Sequence, residues 1–147
     1  IPLNGLRYPA VLRELDEGEH RLPFTVTCRP LRHSSLCFGY RIAVDGKTIA
    51  YCPDTGYCDA AVDLARDADL CITDCSYAPS QQNDEWPHLN PESAAEIALE
   101  AGAKIVALVH FDASIYTTIK AREAAQQSAS EVFRNTVAAT DDMVIEL

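Results

Sequence analysis

Residues 88–112, HLNPESAAEIALEAGAKIVALVHFD, predict a helix followed directly by a buried strand. Asn90 can cap this helix, and Pro91 fits its first position, where no backbone N–H is needed. Gly102 ends the helix, since glycine adopts the left-handed C-cap conformation without steric cost. Between these residues, an apolar stripe recurs at helical spacing and consists of Ala94, Ile97, Ala98 and Ala101. Residues 105–109 are then continuously apolar, which is typical of a parallel strand covered on both faces.

The rest of the chain alternates strand and helix signals in the same way. Asp45-Gly46 lies between two β-rich runs, residues 40–44 and 48–52, and strongly favours a hairpin. Further elements are predicted from periodicity: strands over residues 24–31 and 70–73, helices over residues 57–66 and 115–134, and a last hairpin of residues 137–139 and 143–147. No internal repeat or linker interrupts this order. The sequence therefore predicts an α/β fold in a single domain over residues 1–147.

The composition limits what the protein can bind. The chain is 48% apolar and 23% charged, which is ordinary for a soluble globular protein. No apolar run approaches the roughly 18 residues of a membrane span, so no membrane partner is expected. The net charge of −10 argues against extensive nucleic-acid binding, because phosphate binding relies on clustered lysine and arginine.

The cysteines indicate the redox compartment. The chain has six of them, and they form no Cys-x-x-Cys pair, so a zinc ribbon is not expected. The first residues carry no recognisable secretion signal. We therefore interpret the cysteines as free thiols in a reducing cytoplasm, with disulfides as the alternative.

Four isolated residues with metal-binding or acid–base side chains accompany the apolar runs. His33 follows a predicted strand, Asp54 follows the hairpin, His110 follows the last buried run, and His88 precedes the best-defined helix. Each alone has a simpler interpretation, such as a capped loop histidine or, for Asp54, an Asx turn before a glycine. Residues beyond strand ends in an α/β sheet collect in one crevice, however, and together these predict a hydrolytic metal site. The sequence contains no His-x-His or His-x-x-x-His pair to complete it.

The order of these segments resembles the C-terminal half of the metallo-β-lactamase fold, in the branch that contains ribonuclease Z and the cyclic phosphodiesterases. The resemblance extends from about residue 24 to residue 147. It rests on PLRHSS, GYRIAVDGKTIAYCPDT, ADLCITDCSY, the helix and strand of residues 88–112, and the terminal ATDDMVIEL. It implies half of an αβ/βα sandwich, with a mixed β-sheet and flanking helices.

The resemblance also implies a role for each candidate residue. His33, Asp54 and His110 match metal ligands of the family, with Asp54 as the carboxylate that bridges two metals. His88 matches the histidine that contacts the scissile group, and Asp74 matches an acidic residue that orients that histidine. Two Zn²⁺ ions per intact site are implied, with Mn²⁺ or Fe²⁺ as alternatives, and histidine and carboxylate ligands suit these ions.

The sequence departs from the family pattern at three points. The motif His-x-His-x-Asp-His, which supplies most of the metal ligands, is absent, Asn90 replaces a threonine, and Asp142 replaces a glycine. We therefore expect the chain to be the C-terminal portion of the fold, with its N-terminal half absent and its metal site incomplete. An apolar sheet face would then be exposed, and the missing half or a second copy of the chain is expected to cover it.

For the intact protein, the resemblance implies hydrolysis of a phosphodiester by a metal-bound hydroxide. The expected substrate is a small phosphodiester or ester, and the chain alone is expected to be inactive. Two other interpretations stay open. One is a thioesterase or lactonase of the same fold, and the other is a non-catalytic module that serves assembly or regulation.

Overall fold

The computed structural model describes residues 12–147, which form one seven-stranded sheet and three helices. The strands are β1 (Gly18–Arg21), β2 (Thr25–Pro30), β3 (Phe38–Val44), β4 (Lys47–Cys52), β5 (Leu70–Asp74), β6 (Val106–Val109) and β7 (Thr136–Ala138). The helices are α1 (Asp59–Ala65), α2 (Pro91–Ala101) and α3 (Ile119–Val132). No helix among these residues is long and apolar enough to cross a membrane.

The sheet is mixed, and its strands lie side by side in the order in which they occur along the chain. β1 to β4 form an antiparallel meander, whereas β4, β5, β6 and β7 are parallel. Each parallel pair needs a crossover connection, and α1, α2 and α3 supply these in turn. The predicted α/β class, with a mixed sheet and accompanying helices, is confirmed.

The hairpin and the helix that were predicted from turn and cap residues are also confirmed. Asp45 and Gly46 have φ angles of 50° and 75°, as a two-residue hairpin requires. At the start of α2, the Asn90 side chain accepts a hydrogen bond from Ser93 N at 2.8 Å, and Ser93 Oγ accepts one from Asn90 N at 3.1 Å. Two N-terminal backbone donors are thereby satisfied. Gly102, with a φ of 67°, ends the helix.

The helices cover one face of the sheet, and the opposite face is covered only in part. Side chains on the covered face belong to the buried core and include Ala50, Cys52, Cys71, Val106 and Leu108. On the opposite face, the strand register aligns a row of Tyr40, Tyr51, Ile72, Ala107 and Val137. Among residues 12–147, the C-terminal Met143 and Ile145 lie over part of this face and line an apolar groove on it. We call this second surface the open face.

Three elements differ from the sequence predictions. The terminal hairpin is wrong, because β7 ends at Ala138, pairs in parallel with β6, and is followed by residues 143–147 without a strand. The tail instead shields apolar side chains of the open face from water. α3 begins later than predicted, because the Thr118 side chain caps it by accepting a hydrogen bond from Ala121 N at 3.2 Å. The sequence pattern also did not indicate β1.

Candidate active site

Strand direction brings the five candidate residues to a single edge of the sheet. β2 and β4 both run antiparallel to β3 and therefore run parallel to each other, and β5 and β6 run parallel to β4. The carboxyl ends of these four strands consequently lie at the same edge. His33 follows β2, Asp54 follows β4, Asp74 ends β5, and His110 follows β6. His88 lies on the connection between β5 and α2.

His88 occupies the centre of this group. Its ring centroid lies 5.2 Å from that of His33 and 5.4 Å from that of His110, and the His110 ring is stacked at an interplanar angle of 23°. Asp74 contacts His88, and Asp54 contacts His110. The structure thus brings together all five residues that the sequence indicated, while their individual roles stay predictions.

The pair of Asp74 and His88 is buried, and both oxygens of the Asp74 carboxylate have partners within the chain. Asp74 Oδ2 lies 2.5 Å from His88 Nδ1, and the two side chains are 0% and 6% exposed. The same carboxylate accepts hydrogen bonds from Thr55 N at 3.0 Å and from Ser76 N at 2.8 Å. Burial raises the pKa of Asp74, and the hydrogen bonds oppose this shift. Because the carboxylate occupies Nδ1, Nε2 is the nitrogen of His88 that remains for a substrate.

The pair of Asp54 and His110 is more exposed and more loosely held. Asp54 Oδ1 lies 3.5 Å from His110 Nε2, and the side chains are 37% and 44% exposed. His110 has a φ of 58°, a left-handed conformation that is unfavourable for histidine and is kept where the surrounding structure enforces it. This residue directly follows β6, and its ring lies beside Asp54 and His88. Both members of the pair therefore retain accessible ligand atoms.

His33 has a buried nitrogen without a hydrogen-bond partner. Its Nε2 is buried and unpaired among the described residues, whereas its Nδ1 accepts a contact from Ser35 N at 3.4 Å. An unsatisfied buried polar atom costs about 1–3 kcal/mol unless a group outside the chain satisfies it. The Ser35 contact is long and does not define the tautomer, so Nε2 is available as a metal ligand.

One group of side chains in the described part of the chain lies close enough together to hold a metal ion. Asp74, His88 and His110 offer ligand atoms that all lie within 4.8 Å of one another. This proximity supports metal binding at the edge. The group shares only His110 with the predicted ligands His33, Asp54 and His110. Both oxygens of Asp74 are already hydrogen-bonded, whereas the ligand atoms of His33 and Asp54 are available.

Two further residues of this edge were not indicated by the sequence reasoning. The Trp86 ring lies edge-on to His33 at 5.9 Å and tilted to His88 at 6.3 Å. Its position two residues before His88, in EWPHL, is a signal that could have indicated it. Thr55 contacts Asp74 through its backbone N–H, so its side-chain type carries no such signal.

Comparison with known protein families and structures gives a consistent result. A family model described as the beta-lactamase superfamily domain matches residues 7–111 of this chain. The crystal structure of YhfI from Bacillus subtilis, described as a metallo-beta-lactamase fold protein, superposes with a TM-score of 0.73 at 28% identity. That similarity covers 82% of this chain and 47% of the YhfI chain.

Two curated relatives extend the comparison to sequence. A Bacillus subtilis protein described as a probable metallo-hydrolase, YhfI, is 35% identical over 88 residues, which are 60% of this chain and 36% of the relative. A ribonuclease Z from Nostoc sp. is 36% identical over 123 residues, which are 81% of this chain and 37% of the relative. The chain thus spans little more than a third of the length of these relatives.

Proposed function

The chain belongs to the beta-lactamase superfamily, and on that premise we propose that the intact protein is a metal-dependent hydrolase of phosphodiesters. The observation that carries this proposal is the buried pair of Asp74 and His88 beside the ligand-type side chains of His33, Asp54 and His110. Such a cluster combines metal ligands with a group that can transfer a proton. Similarity to proteins named ribonuclease Z and metallo-hydrolase supports the reaction class.

We assign His33, Asp54 and His110 as the residues that hold the metal. Their ligand atoms are unpaired or accessible, whereas both oxygens of Asp74 are occupied by hydrogen bonds. Imidazole nitrogens and carboxylate oxygens suit Zn²⁺, and we propose two Zn²⁺ ions per intact site. When bound, these ions supply Lewis acidity toward the phosphoryl oxygens and a nucleophilic water near neutral pH.

We assign proton transfer to His88. Its Nδ1 is held by Asp74, which leaves Nε2 to donate a proton to the oxygen of the departing group. The carboxylate holds the imidazole ring in one orientation. His88 is therefore the catalytic residue of this pair, and Asp74 is a positioning residue.

In this proposal, ligands from outside the chain complete the site. The sequence has four histidines, and His20 is remote because it pairs with Val26 near the start of β2. The completing polypeptide would cover the open face, on which Tyr51 is 39% exposed. That polypeptide is either the N-terminal half of the fold or a second copy of the chain. The chain alone is then inactive.

We propose a small phosphodiester as the substrate. Relatives named ribonuclease Z act on RNA according to that name, and they do not support a restriction to small substrates. The restriction rests on the net charge of −10, which opposes binding of a long polyanion. We also assign the protein to the cytoplasm, because all six cysteines are free thiols.

A substrate comparison on the intact protein tests the reaction class. Bis-p-nitrophenyl phosphate presents a phosphodiester, whereas a chromogenic thioester presents a carbonyl carbon. We expect release of nitrophenolate from the phosphodiester, its loss on chelation, and its return with added Zn²⁺. Turnover of the thioester alone would replace the proposal with a thioesterase, and turnover of neither substrate by the metal-loaded protein would favour a non-catalytic module.

A further inference from the structure

Among the described residues, His88 forms a hydrogen bond at one ring nitrogen, Nδ1, which lies 2.5 Å from Asp74 Oδ2. A hydrogen bond at one atom leaves an imidazole ring able to tilt about that contact. Proton transfer requires Nε2 to point at the departing oxygen, and a small displacement of a catalytic group lowers the rate steeply. A second restraint on the His88 ring is therefore expected in the surrounding structure.

Tyr77 forms hydrogen bonds to the chain on both sides of His88. Its hydroxyl donates to the carbonyl oxygen of Trp86, two residues before the histidine. Its backbone N–H donates to the carbonyl oxygen of Leu89, one residue after the histidine, at 3.0 Å. Burial raises the pKa of Tyr77, so its hydroxyl keeps the proton and remains a donor. One residue thus anchors the short segment that carries the His88 side chain.

The Tyr77 ring also contacts the His88 ring directly. The two ring centroids lie 5.6 Å apart at an interplanar angle of 80°, an edge-to-face arrangement that is favourable between aromatic rings. Tyr77 is only 7% exposed, so its ring has little room to move away. This contact therefore limits the tilt that the hydrogen bond to Asp74 leaves free.

Tyr77 is itself held from the loop that follows β6. The hydroxyl of Tyr116, a buried residue, donates a hydrogen bond to the Tyr77 carbonyl oxygen at 2.6 Å. The backbone N–H, the backbone carbonyl and the hydroxyl of Tyr77 therefore all have partners within the chain. A residue fixed at three polar groups is suited to hold a catalytic side chain within its narrow range of productive orientations.

We infer that Tyr77 is a positioning residue for His88, which holds the imidazole so that Nε2 faces the phosphodiester. The inference rests on the proposed function and adds to it a residue that neither touches the substrate nor binds metal. Tyr77→Phe removes the hydroxyl alone, because phenylalanine keeps the ring and both backbone hydrogen bonds. The Trp86 carbonyl then loses its donor, and the segment that carries His88 gains freedom to move.

A comparison of leaving groups on the intact, metal-loaded protein tests the inference. Phenolate is more basic than nitrophenolate, so its departure depends more strongly on a proton from His88. Tyr77→Phe is expected to lower kcat about 10- to 100-fold with diphenyl phosphate, and less with bis-p-nitrophenyl phosphate. KM and metal content are expected to stay unchanged. An equal loss of kcat with both substrates, or a loss with neither, would overturn the inference.

Tyr57→Phe is the matched control, because it also removes a hydrogen-bonded tyrosine hydroxyl. The partner of that hydroxyl is Glu100 in the last turn of α2, at the opposite end of the helix from the connection that carries His88. Its kcat is expected to equal that of the unmodified protein with both substrates. A loss in Tyr57→Phe that matches the loss in Tyr77→Phe would contradict a specific positioning role.

Nuclear magnetic resonance tests the ring orientation without any catalytic step. In metal-free intact protein with isotope-labelled histidine, at one fixed pH, His88 is expected to give a single set of imidazole signals, assigned by their loss in His88→Ala. Tyr77→Phe is expected to broaden or double these signals, and unchanged signals would overturn the inference. Hydrolysis of neither diester by the metal-loaded protein would refute the proposed function, and the imidazole signals would still decide whether Tyr77 orients His88.

Discussion

The two aspartate–histidine pairs of the site differ in distance, burial and number of partners. Asp74 and His88 lie 2.5 Å apart with side chains 0% and 6% exposed, and the carboxylate accepts two backbone N–H groups as well. Asp54 and His110 lie 3.5 Å apart with side chains 37% and 44% exposed. We call Asp74 and His88 the closed pair, because both oxygens of that carboxylate have partners within the chain. We call Asp54 and His110 the open pair, because both of these side chains remain partly exposed.

This difference teaches that environment rather than residue type separates the two pairs chemically. In the closed pair, both carboxylate oxygens are occupied, so Asp74 is suited to hold the His88 ring in one orientation. In the open pair, ligand atoms remain for a metal ion or for groups from outside this chain. Removal of one member is therefore expected to have a different effect in each pair.

The largest expected effect separates the histidines of the two pairs. His88→Ala is expected to retain metal and to lower kcat by about 10²- to 10⁴-fold, the usual contribution of a general acid or base. His110→Ala and His33→Ala are expected to lose metal, because each removes a proposed ligand. Elemental analysis and steady-state kinetics with bis-p-nitrophenyl phosphate on the intact protein measure both quantities.

His20→Ala is the matched control for these variants, since it removes a histidine that lies away from the site edge. Unchanged metal content in His110→Ala and His33→Ala would contradict the ligand assignment. Loss of metal from His88→Ala would contradict the assignment of His88 as a proton donor that does not bind metal. It would place the closed pair in the metal site, with Asp74, His88 and His110 as the ligands.

A smaller effect compares the carboxylates in folding stability. Asp74→Ala leaves three donors at the closed pair without a carboxylate and is expected to lower the free energy of unfolding by about 3–5 kcal/mol. Asp54→Ala removes a half-exposed contact and is expected to change it by about 0–1 kcal/mol. Urea unfolding of chelated protein, followed by circular dichroism, measures both without a contribution from bound metal. Equal losses would show that burial does not distinguish the pairs.

The smallest expected effect concerns Asp69, a carboxylate that belongs to neither pair. It serves as a reference for the contribution of Asp54 to folding stability. Lys104 Nζ lies 2.8 Å from Asp69 Oδ1, and Thr48 N donates to Asp69 Oδ2 at 2.8 Å. These two contacts lower the pKa of Asp69. A carboxylate of this kind stabilises the fold above its unfolded pKa of about 3.9, and the stabilisation is lost as the pH falls through its lower folded pKa.

Asp69→Asn is therefore expected to lower the urea midpoint at neutral pH and to make little difference in strong acid. The control is Glu123→Gln, which changes an exposed carboxylate of α3 and should shift the midpoint little at either pH. If Asp69→Asn lowered the midpoint equally at both pH values, ionisation of Asp69 would not be the source of its effect.

The parts of the fold that depend on neighbouring residues could be predicted from the sequence. The Asp45-Gly46 hairpin and the cap of α2 at Asn90 follow from turn and cap chemistry, which acts within a few residues. The gathering of His33, Asp54 and His110 at one edge followed from the rule for strand ends in α/β sheets.

The parts that could not be predicted depend on contacts across the chain. The tail after β7 has a strand-like pattern, but its Met143 and Ile145 lie along the open face and do not form a hairpin. The division into a closed and an open pair depends on backbone N–H groups of Thr55 and Ser76. The pattern of side chains in a sequence does not predict the direction in which these backbone N–H groups point.

The strand order of the sheet has a consequence for folding during synthesis. Each strand from β2 to β7 pairs with the strand that precedes it in the chain. A chain emerging from the ribosome can add strands at one growing edge in the order of synthesis, without inserting any strand between two that are already paired. The meander of β1 to β4 has short connections and can form first. Each later strand can pair only after the helix that precedes it in the chain has been synthesised. His110, which follows β6, is the last of the five site residues to be synthesised.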